Sequence, residues 1–442
     1  MYMDPLFIQI PDGIDKEKYV IATYLIGVTR ETEALKYVAA LAVEQTTGTW
    51  TSVPGETHEV RERHLGRIVG MYEVPPYPLE YPADLKERYY IARIAYPAEN
   101  FGTKFSMLFT TIFGNISTID KIKLMDVEFP DWYLKEFKGP KFGVEGIREI
   151  LGVYDRPLIN NMIKPCIGLN PQQTAELAYQ VAVGGVDIIK DDELTADPPN
   201  CPLIERVKAV SAALERADEE KGEKTIYAFN ITDRTEKLRE NALRAIEAGA
   251  KCLMVNTWTI GLDACRMLTS DPDINVPILS HPDLQGAFYV SPYNGIKASL
   301  VKVKFPRMAG LDMFIMPAPY GKFPVTWDNY IELAYTALAP WKHIKRMMPM
   351  PGGGSVPGVI EAMMKTFGND IIISAGGGII GHPMGPTAGA KAYRQGIDAV
   401  MKGISLRDAA KEPENKELKI ALEKWGIIGG ENDKKLYDLK ST

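Results

Sequence analysis

Several things are scarce in this 442-residue chain, and each scarcity excludes a class of protein. It has four cysteines (Cys166, Cys201, Cys252 and Cys265), none in CxxC spacing. A disulfide framework or a zinc site needs more cysteines, closer together, so reduced thiols in a cytoplasmic protein are expected. Five histidines are scattered singly, which argues against a histidine-rich metal site. No apolar run approaches the roughly 20 residues needed to span a bilayer. Met1 to Asp15 carries acids and prolines rather than a basic start and an apolar stretch, so no signal peptide is expected. Basic excess is missing too: the net charge is -6, and nucleic-acid binding needs a basic footprint. The first 150 residues contain no phosphate-binding glycine fingerprint, which removes a Rossmann domain.

What remains is an ordinary globular composition, 45% hydrophobic and 24% charged, in a chain long enough for more than one domain. Residues 1–150 read as a small α+β domain of ferredoxin-like type. Strands are predicted at Tyr19–Val28, Tyr89–Tyr96 and Lys123–Phe129, and helices at Thr32–Gln45 and Phe105–Phe113. Residues 151–442 change character, with short apolar strands alternating with amphipathic helices. Eight strands are predicted, at 158–164, 186–190, 225–231, 252–256, 277–280, 313–316, 346–349 and 371–374. Such alternation means parallel strands with right-handed crossovers, and eight units in this length fit a (β/α)8 TIM barrel. Pro413 to Trp425 reads as a helix outside it.

Barrel active sites lie at the carboxyl ends of the strands, and the polar residues of this chain collect there. The first strand ends in Lys164-Pro-Cys166 and the second in Lys190-Asp-Asp-Glu193. The fifth ends in His281, the sixth in Gly321-Lys322, and the last two in glycine triplets at 352–354 and 376–378. The triplets are either tight turns or a phosphate cradle built from backbone N–H groups. Asp192 and Glu193 offer hard oxygen ligands that suit magnesium. Lys190 either pairs with these acids or carries a carbamate made with CO2, which would add a third oxygen ligand. Lys164 and Lys322 bring further positive charge to a pocket where a developing enolate would be stabilised. His281 is either a proton shuttle or a capped loop residue.

Taken together the residues resemble the RuBisCO large-subunit superfamily. The matching pieces are Glu44-Gln-Thr-Thr-Gly-Thr-Trp50, Phe113-Gly-Asn115, Ile163-Lys-Pro165 with Gly168-Leu169, Gly184 to Glu193, Gly321-Lys322 and Gly376-Gly-Gly-Ile-Ile-Gly-His-Pro383. They occur in family order and spacing over nearly the whole chain. The resemblance implies a homodimer with shared active sites, Lys190 as a carbamate holding Mg2+ with Asp192 and Glu193, and Lys164 handling protons. It implies a substrate phosphate against Thr49 and Trp50 of the neighbouring subunit and against Gly353, Gly354, Gly376 and Gly377. Glu44 and Asn115 match carboxylases.

Other positions depart from carboxylases. Cys166 replaces a lysine, Pro282 an arginine, Ile315 a histidine and Gly352 a serine, and the last three belong to the pocket for the second phosphate of ribulose bisphosphate. This pattern is similar to the non-carboxylating RuBisCO-like proteins, as are His281-Pro282, Gly139-Pro-Lys-Phe-Gly143 and Gly381 to Pro386. It implies a magnesium-dependent enolase or isomerase of a monophosphorylated keto sugar or diketone, such as the methionine-salvage 1-phosphate. Lys164 or Lys141 would assist in proton transfer. The alternatives are a true ribulose-bisphosphate carboxylase and a non-catalytic regulatory homologue.

Overall fold

The structure is a computed structural model that describes residues 5–49, 51, 53–318, 321–323 and 325–428. Contacts divide it into two compact units, residues 1–137 with 284–301, and residues 138–283 with 302–442.

The first unit holds β1 (Tyr19–Thr29), β2 (Arg67–Glu73), β3 (Glu87–Pro97) and β4 (Ile122–Glu128). The segment 284–301 adds β10 (Gly295–Ile296). The sheet order is β10-β4-β1-β3-β2. β1 is antiparallel to β3 and β4, whereas β10 joins β4 in parallel, Gly295 opposite Lys123. β1 runs through the sheet centre because its Tyr, Val and Ile residues suit a pleated surface packed on both sides; Val20, Ala22, Tyr24 and Ile26 are all fully buried. The helix Ala34–Glu44 buries Val38, Leu41 and Ala42. It runs out before Gly48, whose φ of +61° suits glycine after a helix end.

The second unit contains eight barrel strands: β5 (Leu158–Met162), β6 (Ile188–Lys190), β7 (Ile226–Asn230), β8 (Cys252–Asn256), β9 (Ile278–His281), β11 (Met313–Pro317), β12 (Met348–Gly352) and β13 (Ile372–Ala375). All pairings in the ladder β12-β11-β9-β8-β7-β6-β5-β13 are parallel. β12 and β13, its two ends, also lie side by side, so the ring is nearly closed. The eight predicted strands all appear. The helix Pro171–Val183 starts from a capping box made by Asn170 and Gln173, with Pro171 preset for the first turn. The predicted outer helix is present as Lys416–Trp425.

One end of this barrel is sealed. Val144, Ile147 and Leu151, on the helix Gly143–Leu151, pack into a buried apolar layer with Leu158, Ile188, Ile226, Cys252, Leu279, Met313, Met348 and Ile372. Those residues begin the strands, so the plug closes the amino end. Chemistry is left to the carboxyl end.

Candidate functional site

Strand alternation sends Lys190 and Asp192 to one side and Asp191 to the other. Lys190 is 1% exposed. Its Nζ donates to the Asp191 carbonyl at 2.7 Å and stands 3.8 Å from Glu193 Oε2. Burial pushes its ammonium below the ordinary lysine range, against the opposing pull of Glu193 and Asp192. Asp192 pairs instead with Lys164, whose Nζ lies 2.7 Å from Asp192 Oδ2 and 2.8 Å from Cys166 Sγ. Burial opposes the Lys164 charge, but these two hydrogen bonds outweigh it and raise the group. Glu193 Oε2 lies 3.2 Å from His281 Nε2, and His281 Nδ1 lies 3.2 Å from Asp283 Oδ1. Burial alone would raise the Glu193 carboxyl, but the His281 hydrogen bond and the charges of His281 and Lys190 hold it well below the usual range. Asn230 and Asn256 each donate to the Glu193 carbonyl, at 3.2 and 3.1 Å.

The glycines divide into different roles. Gly353 and Gly354 adopt φ of +90° and +87°, which only glycine tolerates easily. A Cβ at Gly378 would stand 2.2 Å from the Ser355 carbonyl oxygen, so that glycine serves packing. At Gly376 a Cβ would meet Lys164 Cε at 3.2 Å, which sets this loop directly against the lysine of the polar cluster. Gly377 faces open space. At Gly352 a Cβ would come within 2.8 Å of Ser374 Cβ, so a serine there has no room.

Not every predicted site residue joins this cluster. Lys141 sits at the opposite, plugged end, where its Nζ donates to the Asp271 and Ile274 carbonyls at 3.0 and 2.5 Å. Those carbonyls precede β9, so the proton-transfer role expected for Lys141 is corrected. Half-buried and away from the rim, the lysine is satisfied by main chain. Lys322 is exposed, its Nζ 4.9 Å from the Phe323 ring centroid, while its backbone N–H donates to the Gly353 carbonyl at 2.8 Å. In the first unit Asn115 Nδ2 donates to Glu44 Oε1 at 3.0 Å, and Thr49 Oγ1 donates to the Thr51 carbonyl. Trp50 lies outside the described residues. Asp283 was not anticipated, whereas Asn256 was expected at the rim as the polar end of the fourth strand. Asp283 follows His281 by two residues, a spacing that could have drawn attention to it.

The oxygen donors at the β6 turn suit a hard cation. Asp192 and Glu193 are carboxylates at the end of one strand, and Lys190, two and three residues before them, is desolvated, which favours the neutral amine that CO2 requires. Asn256 Oδ1 is buried beside them with no hydrogen-bond partner among the described residues. The residues therefore fit a magnesium ion with a lysine carbamate.

Comparison with known proteins agrees with this geometry. Residues 11–133 match the RuBisCO large chain N-terminal domain and residues 143–425 its catalytic domain. The chain belongs to the RuBisCO large-chain family. A ribulose bisphosphate carboxylase-like protein from Archaeoglobus fulgidus is 50% identical over 94% of this chain and 95% of its own. A 2,3-diketo-5-methylthiopentyl-1-phosphate enolase from Geobacillus thermodenitrificans is 40% identical over 92% and 98%. Among solved structures, a rubisco-like protein (MtnW) from Alicyclobacillus acidocaldarius superposes with a TM-score of 0.85 at 37% identity, covering 93% of this chain and all of that one. Among the described residues, no helix is long and apolar enough to cross a membrane.

Proposed function

We propose that the protein is a magnesium-dependent enolase-type isomerase of a monophosphorylated diketone. The substrate named for its relatives, 2,3-diketo-5-methylthiopentyl 1-phosphate, is the first candidate. One observation carries this reading: the carboxyl rim is equipped at one side and closed at the other. Lys164, Lys190, Asp192 and Glu193 cluster next to the Gly376 loop. Across the barrel, Pro282 and Ile315 offer no charge; at the end of β12, beside β13, a Cβ at Gly352 would come within 2.8 Å of Ser374 Cβ, so a serine there has no room. A second phosphate without its arginine would forgo charge-assisted bonds worth roughly 1.5–3 kcal/mol each. One phosphate and an apolar tail suit this pocket better than two phosphates.

Lys190 as a carbamate, with Asp192 and Glu193, would hold Mg2+. Bound there, the ion supplies Lewis acidity that makes the carbon-bound proton beside a ketone easier to remove. The chain's own groups do the rest. The Gly353–Gly354 and Gly376–Gly377 backbone receives the phosphate. His281, steadied by Asp283, takes the carbon-bound proton at Nε2 once that atom is released from Glu193. Lys164, kept protonated by Asp192, gives a proton from Nζ to the developing oxyanion, and exchange with solvent resets both groups. Thr49 and Trp50 would reach this site from the neighbouring protomer of a homodimer, as the family resemblance implies, and Glu44 and Asn115 are placed with them. The remaining context is a cytoplasmic enzyme of methionine salvage.

Mixing the purified protein with the diketone 1-phosphate should raise enol absorbance, and only when both Mg2+ and bicarbonate are present. Incorporation of labelled CO2 into ribulose bisphosphate would overturn the proposal in favour of a carboxylase. A melting temperature unmoved by Mg2+, bicarbonate and a panel of sugar phosphates would point to a non-catalytic homologue.

A further inference from the structure

The mechanism leaves one group at the β6 turn unused. Asp191 lies between the metal-site residues Lys190 and Asp192, yet its side chain points away from the pocket. It is 2% exposed, and its two neighbours Arg206 and Tyr227 are 0% and 1% exposed. Its carboxylate accepts three hydrogen bonds and forms an ion pair. Oδ2 takes Arg206 Nε at 3.1 Å and the Asn230 N–H at 2.8 Å, and stands 3.0 Å from Arg206 Nη2. Oδ1 takes the Tyr227 hydroxyl at 2.6 Å. Its carbonyl accepts from Lys190 Nζ, and its own N–H donates to Ala228.

Arg206 reaches further along the same loop. Nη2 donates to the Ala196 carbonyl and Nη1 to the Cys201 carbonyl, both at 2.6 Å. One guanidinium therefore holds the loop after β6 at its start, middle and end, and Asp192 and Glu193 lie within the stretch it holds. A buried ion pair is seldom more stabilising than apolar residues of the same volume. What a planar, five-donor group does provide is fixed directions. Three carbonyl or carboxyl positions set by one rigid fork restrict where the intervening carboxylates can stand.

We infer that Arg206, Asp191 and Tyr227 are positioning residues that set the Lys190–Asp192–Glu193 turn in its metal-binding geometry. This rests on the metal-centre reading above. Groups that orient metal ligands from behind commonly change metal affinity 10–100-fold when removed. A purely structural ion pair would affect melting without affecting affinity. The residue just before β6 supplies a control, since Asp187 is held by Arg156 at 2.7 and 2.8 Å.

The test is Mn2+ binding followed by electron paramagnetic resonance, on the full chain in bicarbonate, with the melting temperature recorded alongside. Tyr227→Phe should raise the Mn2+ Kd about tenfold. Arg156→Lys should lower the melting temperature by a similar amount or more and leave the Kd at the wild-type value. Wild-type Kd in Tyr227→Phe would overturn the inference, and so would an equal rise in both variants, which would mean general loosening. If Tyr227→Phe does not fold, Arg206→Lys makes the same comparison with the same two outcomes. Failure of the wild-type protein to bind Mn2+ would remove the metal-centre reading and this inference together. Wild-type binding with an unaltered variant removes the inference alone.

Discussion

At the amino end of β6, Asp187 is neutralised by Arg156 and also accepts the Ile159 N–H at 2.8 Å, so no donor is left waiting. Three residues later Lys190 is equally buried and has one carbonyl at hydrogen-bond distance and a carboxylate 3.8 Å off. The same contrast holds for the whole barrel. At the plugged end Asp312 accepts three backbone N–H groups, from Phe142, Gly143 and Ile278. At the open end, Gly377 faces empty space and Asn256 Oδ1 has no hydrogen-bond partner among the described residues. A fold can hold buried charge at both ends of a strand. The difference is whether the polar groups are already satisfied or are left to a ligand.

Substitutions can break this contrast, and the largest effect is expected at Lys190. Lys190→Met should lower enolisation roughly a thousandfold, a loss typical of removing a central electrostatic stabiliser. Melting should not fall, because a desolvated amine is replaced by an apolar chain. Asp312→Ala should do the opposite. Three buried donors lose their acceptor, which costs about 3 kcal/mol or more of stability in denaturant titration, while turnover per folded molecule stays at the wild-type level. Activity tied to Asp312, or stability tied to Lys190, would erase the distinction between the ends.

Two smaller effects sharpen it. Carbamate forms from the neutral amine and releases a proton, so activation by CO2 should rise with pH. Burial holds Lys190 below the ordinary lysine value of 10.5, so the rise should begin at lower pH than for a free lysine. Pre-incubation in bicarbonate at a series of pH values, followed by assay at one pH, measures it. In the glycine loop, Gly377→Ala points a methyl into open space and should raise KM several-fold, about 1 kcal/mol, with melting unchanged. Gly378→Ala meets the Ser355 carbonyl and should lower the melting temperature instead.

Much of this was legible in the sequence, for physical reasons that vary by element. The barrel strands are short apolar runs ended by polar residues, because parallel strands are buried on both faces and stop at a functional rim. The Lys190 to Glu193 turn carried its chemistry in four adjacent residues. Other features left weaker traces. β2 has Gly70 at its centre, which weakens a strand pattern, and β10 is two residues long, too short for any periodicity. Lys141 belongs to the motif 139–143, yet which end of the barrel it occupies depends on chain direction entering the plug helix. Arg206 looks like one more charged residue of a surface helix. Its pairing with Asp191 is a contact across two elements, and local spacing does not encode it.

The two residues of β10 also set a timetable. They pair with β4 and so cover a strand that would otherwise be a sheet edge, and Lys123 Nζ fixes the segment by donating to the Tyr289 and Ser291 carbonyls. β4 leaves the ribosome long before its neighbour exists. At about 5–20 residues per second the gap is roughly ten to thirty seconds. During that interval the nascent first unit presents an unpaired strand, the feature that most readily captures another chain. The sheet of the amino-terminal unit thus gains its last strand only after five of the eight barrel strands have been synthesised.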